Sequence, residues 1–81
     1  MQTPKEQDEM VRMAYRNCVI EADPWYVVTD RGWEARGTVR LSVPGGLFEQ
    51  SYWYDDLFAT RDLALNAVLA GGKIMIDQLL P

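Results

Sequence analysis

The segment GWEARGTVRLSV, residues 32–43, alternates between side chains that favour a protein core and side chains that favour water. Successive side chains of a β-strand point to opposite faces of its sheet, so a period of two is typical of a half-buried antiparallel strand. The predicted core-facing set is Trp33, Ala35, Gly37, Val39, Leu41 and Val43, and the predicted solvated set is Glu34, Arg36, Thr38, Arg40 and Ser42. This segment therefore predicts a sheet with one face on a core.

The residues that follow predict a β-hairpin. The motif PGG, residues 44–46, favours a turn, because proline presets one backbone angle and glycine accepts positive φ. The run LFEQSYWYDD, residues 47–56, then predicts the returning strand. We expect a four-residue loop, because a three-residue loop would bury Glu49 without a partner, which is costly. This register puts Phe48, Tyr52 and Tyr54 on the core face and pairs Val43 with Phe48, Leu41 with Gln50, Val39 with Tyr52 and Gly37 with Tyr54.

The C-terminal part of the chain predicts one continuous helix. Thr60 is a favourable N-cap residue, and Asp62 is well placed in the first turn. Apolar residues then recur at helical spacing as far as about residue 79. The predicted buried face is Leu65, Val68, Leu69, Gly72, Ile76 and Leu79. The pair Gly71-Gly72 lies inside this pattern, so we expect it to permit close packing against the sheet. A phosphate-binding loop would instead need its glycines ahead of the helix start.

The segment before Trp25 permits two interpretations. The motif TPKE, residues 3–6, has the form of a capping box, and the apolar residues after it fit a helical face. With WYVVTD, residues 25–30, as the first strand, the order of elements would be αβββα. Alternatively, residues 15–22 form a strand with Cys18, Ile20 and Ala22 on one face.

A series of short motifs resembles a loose group of small, uncharacterised bacterial proteins built as an antiparallel β-meander followed by one long helix. These are Tyr15 with Ile20 five residues later, IEADP at residues 20–24, Gly32-Trp33, FAT at residues 58–60 and GKIMID at residues 72–77. The resemblance covers residues 15–79, implies that residues 15–22 are a strand, and implies no activity.

Together these patterns predict an α+β fold in which a three-stranded antiparallel β-meander packs against one long C-terminal helix, in the order βββα. Residues 15–81 would form this single domain. Residues 1–14 would form an N-terminal segment that is flexible or contains a short helix over residues 4–12.

Composition limits the classes of function. The chain has 81 residues, of which 8 are basic and 12 acidic, and its only lysines are Lys5 and Lys73. The formal charge of −4 disfavours nucleic acids and anionic membranes, which attract basic surfaces. No apolar run approaches the roughly 20 residues that span a bilayer, and the first ten residues do not match a signal peptide. We therefore expect a cytoplasmic protein with no membrane partner.

The side chains that usually carry catalysis or metal binding are scarce. The chain contains no histidine and one cysteine, Cys18, so the common nucleophile pairs, an internal disulfide and an ordinary zinc site are excluded. Asp55 and Asp56 are adjacent, but neighbouring strand residues diverge and no third ligand accompanies them. We expect Cys18 to be a core residue, and we expect no catalytic residues, no metal and no cofactor. A small-ligand-binding protein or an enzyme remains a remote alternative.

The solvated face of the predicted sheet is one candidate interaction surface. It carries Trp53 beside Arg36 and Arg40, and a sheet with aromatic and arginine side chains can stack the bases of single-stranded nucleic acid. A cation–π contact on an ordinary solvated sheet would have the same sequence pattern. Because Glu34 and Glu49 share this face, nucleic-acid binding is the secondary hypothesis.

The predicted helix carries a second apolar stripe nearly opposite its first. The stripe consists of Leu63, Ala67, Ala70 and Ile74. A helix that is apolar on two sides is usually buried on two sides, and one sheet covers only one of them. We therefore predict a non-catalytic protein-interaction or accessory module whose partner is a protein, with a homodimer as the favoured form. The intramolecular alternative is that Met10, Val11 and Met13 cover the stripe.

Overall fold

The computed structural model of the chain describes residues 10–80, which form an antiparallel sheet covered on one face by a C-terminal helix. The strands are β1 (Val11–Tyr15), β2 (Cys18–Ala22), β3 (Trp25–Val27), β4 (Gly32–Val43) and β5 (Gly46–Phe58), and the helix is α1 (Arg61–Leu79). The predicted α+β class, the antiparallel sheet and the C-terminal helix are confirmed. The predicted strand count of three is wrong, because the sheet of the described residues has five strands.

One additional strand exists because residues 15–22 do not run straight. Arg16 and Asn17 have φ angles of 52° and 64°, so they form a two-residue turn of the kind that joins tight hairpins. This turn pairs β1 with β2, from Tyr15 opposite Cys18 to Val11 opposite Ala22. The expected single strand over residues 15–22 is therefore wrong at its start. Of the helix expected over residues 4–12, residues 11 and 12 lie in β1 instead, and residues 4–9 lie outside the described residues.

The other additional strand, β3, continues the path of β2 along the same edge of β4. β2 pairs with β4 from Val19 opposite Arg40 to Ala22 opposite Gly37, and β3 resumes the same register after a gap of two residues. The backbone N–H of Asp23 still donates to the carbonyl of Arg36 at 2.8 Å. Proline has no N–H to donate, so Pro24 interrupts the ladder. β5 occupies the opposite edge of β4.

The hairpin between β4 and β5 has a tighter turn than the sequence predicts. Val43 pairs with Gly46, so the loop is the two residues Pro44 and Gly45 rather than four. Gly45 adopts a φ of +94°, which with a preceding proline is typical of a type II turn. The predicted pairs are therefore wrong by two residues of β5. Leu41 stands opposite Phe48, Val39 opposite Gln50, and Gly37 opposite Tyr52.

A shift of two residues preserves which face each side chain occupies, because strand side chains alternate with a period of two. Phe48 and Tyr52 accordingly face the helix side, as the sequence predicts. Between Glu34 and Arg36, a β-bulge shifts the register of β4 and β5. Arg36 pairs with Trp53 and Glu34 with Leu57, so three residues of β5 stand opposite Ala35 alone. Asp55 and Asp56 lie in this bulge.

Helix α1 begins as the sequence predicts. The hydroxyl of Thr60 accepts a hydrogen bond from the N–H of Leu63 at 3.1 Å, which caps the helix, and Asp62 lies in the first turn. The helix continues through Gly71-Gly72, so the backbone there is not a phosphate loop. The residues that it buries fully are Ala64, Val68, Gly72 and Ile76. Val68, Gly72 and Ile76 are confirmed, whereas Leu65 and Leu69 are only partly buried and Leu79 is exposed.

Small residues let α1 lie close to the sheet. A Cβ added at Gly72 would lie 2.7 Å from Cγ2 of Ile20 and 2.7 Å from the hydroxyl of Tyr52. Tyr52 donates to the carbonyl of Val68 at 2.7 Å, and Tyr54 donates to the carbonyl of Ala67 at 3.0 Å. Burial raises the pKa of Tyr52 to about 12. The two phenols therefore tie β5 to α1 by hydrogen bonds to helix carbonyls.

Two groups of buried residues make the core between the sheet and α1. One contains Cys18, Ile20, Val39 and Ile76, and the other contains Ala22, Ala35, Ala64 and Val68. Tyr52 packs against both. At the end of α1, the carboxylate of Asp77 accepts hydrogen bonds from Arg16 at 2.9 Å and Tyr15 at 3.0 Å. These bonds lower the pKa of Asp77 and fasten the β1–β2 turn to the helix.

The close approach of α1 predicts that Gly72→Ala destabilises the protein. Alanine should gain about 1 kcal/mol of helix propensity, but overpacking against Ile20 should cost about 1–3 kcal/mol. Gly72→Val should be worse. The measurement is urea denaturation followed by circular dichroism. The control is Asn66→Ala on the exposed side of α1, which should be neutral or stabilising. A Gly72→Ala protein that is more stable than the unmodified chain would mean that the helix and the sheet leave room for a Cβ at this position.

Candidate functional site

The face of the sheet opposite α1 holds an open groove of about 450 Å³. It crosses the sheet from the junction of β2 and β3, over β4, to β5. The side chains that define it, here called the outer groove, are Glu21, Asp23, Glu34, Arg36, Ser51 and Trp53. Charged, hydroxyl and indole groups therefore converge on one concave surface.

A buried carboxylate stands at one side of the outer groove. The side chain of Glu21 is only 7% exposed, although it lies on the outer face of the sheet. Nε of Arg12 donates to it at 2.8 Å, and Arg40 donates to the same carboxylate oxygen. Arg40 also bonds Glu49 across β4 and β5. The hydrogen bond from Arg12, with the positive charge of Arg40, outweighs burial and lowers the pKa of Glu21. Glu21 is therefore a neutralised, structural carboxylate.

Arg36 occupies the middle of the outer face. Its guanidinium carbon lies 5.4 Å from the centroid of the Trp25 ring, a cation–π distance. Its Nη1 lies 3.7 Å from a carboxylate oxygen of Glu34. Beside it, the hydroxyls of Thr38 and Ser51 are within hydrogen-bond distance, at 3.2 Å. The charge of Arg36 is thus already engaged by an indole and a carboxylate.

Asp23 differs from the other charged residues of the outer groove. Among the described residues its carboxylate has no hydrogen-bond or ion-pair partner, whereas Glu21, Glu34 and Arg36 each have one. Around the groove, three arginines face four carboxylates. The arginines are Arg12, Arg36 and Arg40, and the carboxylates are Glu21, Asp23, Glu34 and Glu49. The outer face therefore carries an excess of negative charge located at Asp23.

The structure places Arg36 and Trp53 opposite each other on β4 and β5, and Arg40 four residues along the same face. Trp53 is 65% exposed. Both arginines are engaged by carboxylates, and the indole that Arg36 contacts is Trp25 rather than Trp53.

Sequence reasoning missed Glu21, Asp23 and Trp25 as parts of this surface. Alternation along residues 18–22 puts Glu21 opposite the core face but carries no signal that it is buried. Its burial depends on Arg12, in a strand that the sequence did not predict. Trp25 could have been found, because it follows the same alternation if the strand is extended across Pro24.

The second candidate surface is the helix stripe of Leu63, Ala67, Ala70 and Ile74. Leu63 and Ile74 are 52% and 59% exposed, Ala70 is exposed and Ala67 is partly buried. The stripe borders β5 at Ala67, because Tyr54 donates to the carbonyl of Ala67 and its hydroxyl lies beside Gly71.

The N-terminal residues that could have covered the stripe lie elsewhere. Val11 packs against the core group that contains Ala22, and Met13 packs against the group that contains Ile20. Both belong to β1, at the edge of the sheet opposite β5. Met10 lines the outer groove on the other face. Within the described residues the stripe is therefore not covered by this segment.

The remaining candidates are simple to place. Cys18 is a buried free cysteine whose thiol donates weakly to the carbonyl of Arg16 at 3.5 Å. Within residues 10–80, no three Cys, Asp or Glu side chains are grouped so that they could hold a metal ion. Over the same residues, no helix is long and apolar enough to cross a membrane.

The lowered pKa of Glu21 predicts a specific loss of stability in acid. A carboxyl whose pKa is lower in the folded state stabilises the protein above its unfolded pKa of about 4.3, and that stabilisation is lost as the pH falls through the folded pKa. Glu21→Gln keeps the side-chain size but removes the charge, so it should cost about 1–3 kcal/mol at neutral pH.

The measurement is the urea midpoint from about pH 6 to pH 2 for both proteins, a range that brackets carboxyl titration. The midpoint of the unmodified protein should fall more steeply, so that the two curves converge in acid. Parallel curves would show that Glu21 contributes no charge-dependent stability.

No protein-family model, curated protein or solved structure matches the chain. The functional interpretation therefore rests on the outer groove and the helix stripe themselves.

Proposed function

We propose that this protein is a non-catalytic protein-interaction module that acts as a homodimer through the helix stripe. The observation that carries the proposal is the pair of large apolar side chains, Leu63 and Ile74, exposed on a helix whose opposite side is already buried. At about 25 cal/mol per Å², covering even 200–300 Å² of such surface is worth roughly 5–8 kcal/mol before entropy costs. That is comparable with the total stability of a small domain.

The order of side chains in the stripe favours a second copy of the chain as its occupant. It begins and ends with a large residue and has alanines between them. An antiparallel crossing on a two-fold axis would set Leu63 opposite Ile74 of the second copy and Ala67 opposite its Ala70. Small residues at the centre permit close approach of the two helices, and self-complementarity of this kind is what a two-fold interface requires.

The neighbouring surface of β5 would enlarge this interface. Gln50 pairs with the buried Val39 and therefore lies on the helix side of the sheet, yet it is exposed. Val43, at the end of the same hairpin, is exposed as well. α1 thus leaves part of this face uncovered beside the stripe. A stable interface commonly takes about 800 Å² from each partner, more than a four-residue stripe alone provides.

Single-stranded nucleic acid is the less favoured partner. The outer face carries more carboxylates than arginines, which opposes phosphate binding.

A cytoplasmic location is part of the proposal. A single free buried cysteine fits a reducing compartment.

The test is the mass of the protein in solution by sedimentation or light scattering at about 100 μM, a concentration that populates a micromolar dimer. We expect a dimer. Ala70→Glu and Ile74→Glu should each give a folded monomer, because a carboxylate would be buried without a partner at the centre or end of the interface.

Val28→Glu is the matched control, since Val28 is an exposed β-branched residue in the turn between β3 and β4 and does not belong to the stripe. This variant should stay dimeric. A monomeric unmodified protein, or a dimer that both helix substitutions leave intact, would rule out the stripe as the interface.

A further inference from the structure

We propose that the outer groove binds an extended peptide segment that carries an arginine or lysine side chain beside an apolar residue. The groove lies on the face of the sheet opposite α1, so this inference is independent of the dimer through the helix stripe. Among the described residues, the charged groups that line this groove are paired, apart from the carboxylate of Asp23.

The negative charge that the described residues leave unpaired in the outer groove favours a cationic ligand. Glu21 is held by Arg12 and Arg40, and Arg36 is held by Trp25 and Glu34. Asp23 is the lining carboxylate that has no partner among residues 10–80. Arg36 is the neighbour of Asp23 on β4, but its charge is directed to Glu34 and Trp25. A guanidinium or ammonium group placed at Asp23 therefore gains an ion pair without breaking one that already exists. Arginine suits the position best, because its planar fork can bond a carboxylate with two hydrogen bonds.

An exposed indole supplies the apolar contact. Trp53 is 65% exposed on the β5 side of the groove, and none of the ring contacts between described aromatic residues involves it. An exposed indole offers a ligand a flat apolar surface at low entropy cost, and the polar groups beside it offer hydrogen-bond partners. The aliphatic part of a peptide can cover this ring while its cation reaches Asp23.

The shape of the groove favours a chain that runs across it. From Asp23 beside β4 to Trp53 on β5 the groove spans about two strand spacings, or roughly 10 Å. This is the length of about three extended residues. β5 is an edge strand, so the groove is open at that end and does not close around a small molecule. Arg36 lies between the two ends, with its charge engaged by Trp25 and Glu34. The hydroxyls of Thr38 and Ser51 lie in the next row of the same face, beside Glu21, and can bond peptide backbone groups.

The same features oppose a nucleic-acid strand. A phosphate lying along the groove would meet Asp23 and Glu34, and both nearby arginines are already engaged by carboxylates. Base stacking on Trp53 alone would have to offset that repulsion.

The test uses the full chain and the peptide acetyl-Pro-Leu-Arg-Pro-amide, followed by NMR of the three tryptophan indole N–H groups. We expect saturable shifts of the Trp53 signal, with little change at Trp33 on the opposite face. The same peptide with glutamate in place of arginine should bind about tenfold more weakly or not at all, the difference made by one ion pair near a partly desolvated site.

Two variants locate the contacts. Asp23→Asn should weaken binding of the arginine peptide by about fivefold to tenfold, and Trp53→Ala by about tenfold or more. The matched controls are Asp30→Asn, in the exposed turn before β4, and Leu63→Ala on the helix stripe, and both should bind as the unmodified chain does. Circular dichroism verifies that each variant is folded.

Three outcomes would overturn the proposal. The first is the absence of a saturable shift at about 5 mM peptide, above the weakest useful affinity. The second is equal binding of the arginine and glutamate peptides. The third is tighter binding of a thymidine oligonucleotide than of the peptide, lost in Trp53→Ala, which would make the groove a nucleic-acid surface. None of these results depends on whether the protein is a dimer.

Discussion

The close contact between α1 and the centre of the sheet is the constraint on which the rest of the structure depends. Gly72 has no room for a side chain beside Ile20 and Tyr52, and Val68 lies directly over Gly37. Only at this distance can Tyr52 reach a helix carbonyl. The side of α1 that meets the sheet buries Ala64, Val68, Gly72 and Ile76. Leu63 and Ile74 lie on parts of the helix surface that the sheet does not cover.

The parts of this fold that the sequence predicts well are those set by local periodicity. Alternation over residues 32–43 identifies β4 and both its faces, and the capped run after Thr60 identifies α1, including its passage through Gly71-Gly72. The parts that it predicts poorly depend on backbone conformation. A turn of Arg16 and Asn17 carries no glycine signal, so it is hidden within an apparently continuous strand. Val11, Ala14 and Tyr15 fit a helical face, whereas Val11, Met13 and Tyr15 fit an alternating strand, and only pairing with β2 decides between them.

The hairpin shows how a face can be predicted correctly while its register is wrong. The energetic cost of burying Glu49 excludes only loops of odd length. Loops of two and four residues put the same side chains on the same face, and Gly45, which accepts positive φ, permits the shorter one. The candidate surfaces likewise divide into features set by local periodicity and features set by backbone conformation. The helix stripe and the positions of Arg36, Arg40 and Trp53 follow from periodicity, whereas the pairing of Arg12 with Glu21 depends on a strand that periodicity does not reveal.

Strand β5 links the two surfaces without letting one obstruct the other. Tyr52 and Trp53 are neighbours in the chain, but alternation sends Tyr52 to the helix carbonyls and Trp53 to the outer groove. The helix stripe borders the inner side of this strand, and the groove opens on its outer side. A second copy packed on α1 would therefore leave the groove exposed, and a two-fold axis would give the assembly two grooves. A module of this kind would present two equivalent peptide sites, and linkage of the two sites would raise the effective affinity for a partner that carries the segment twice.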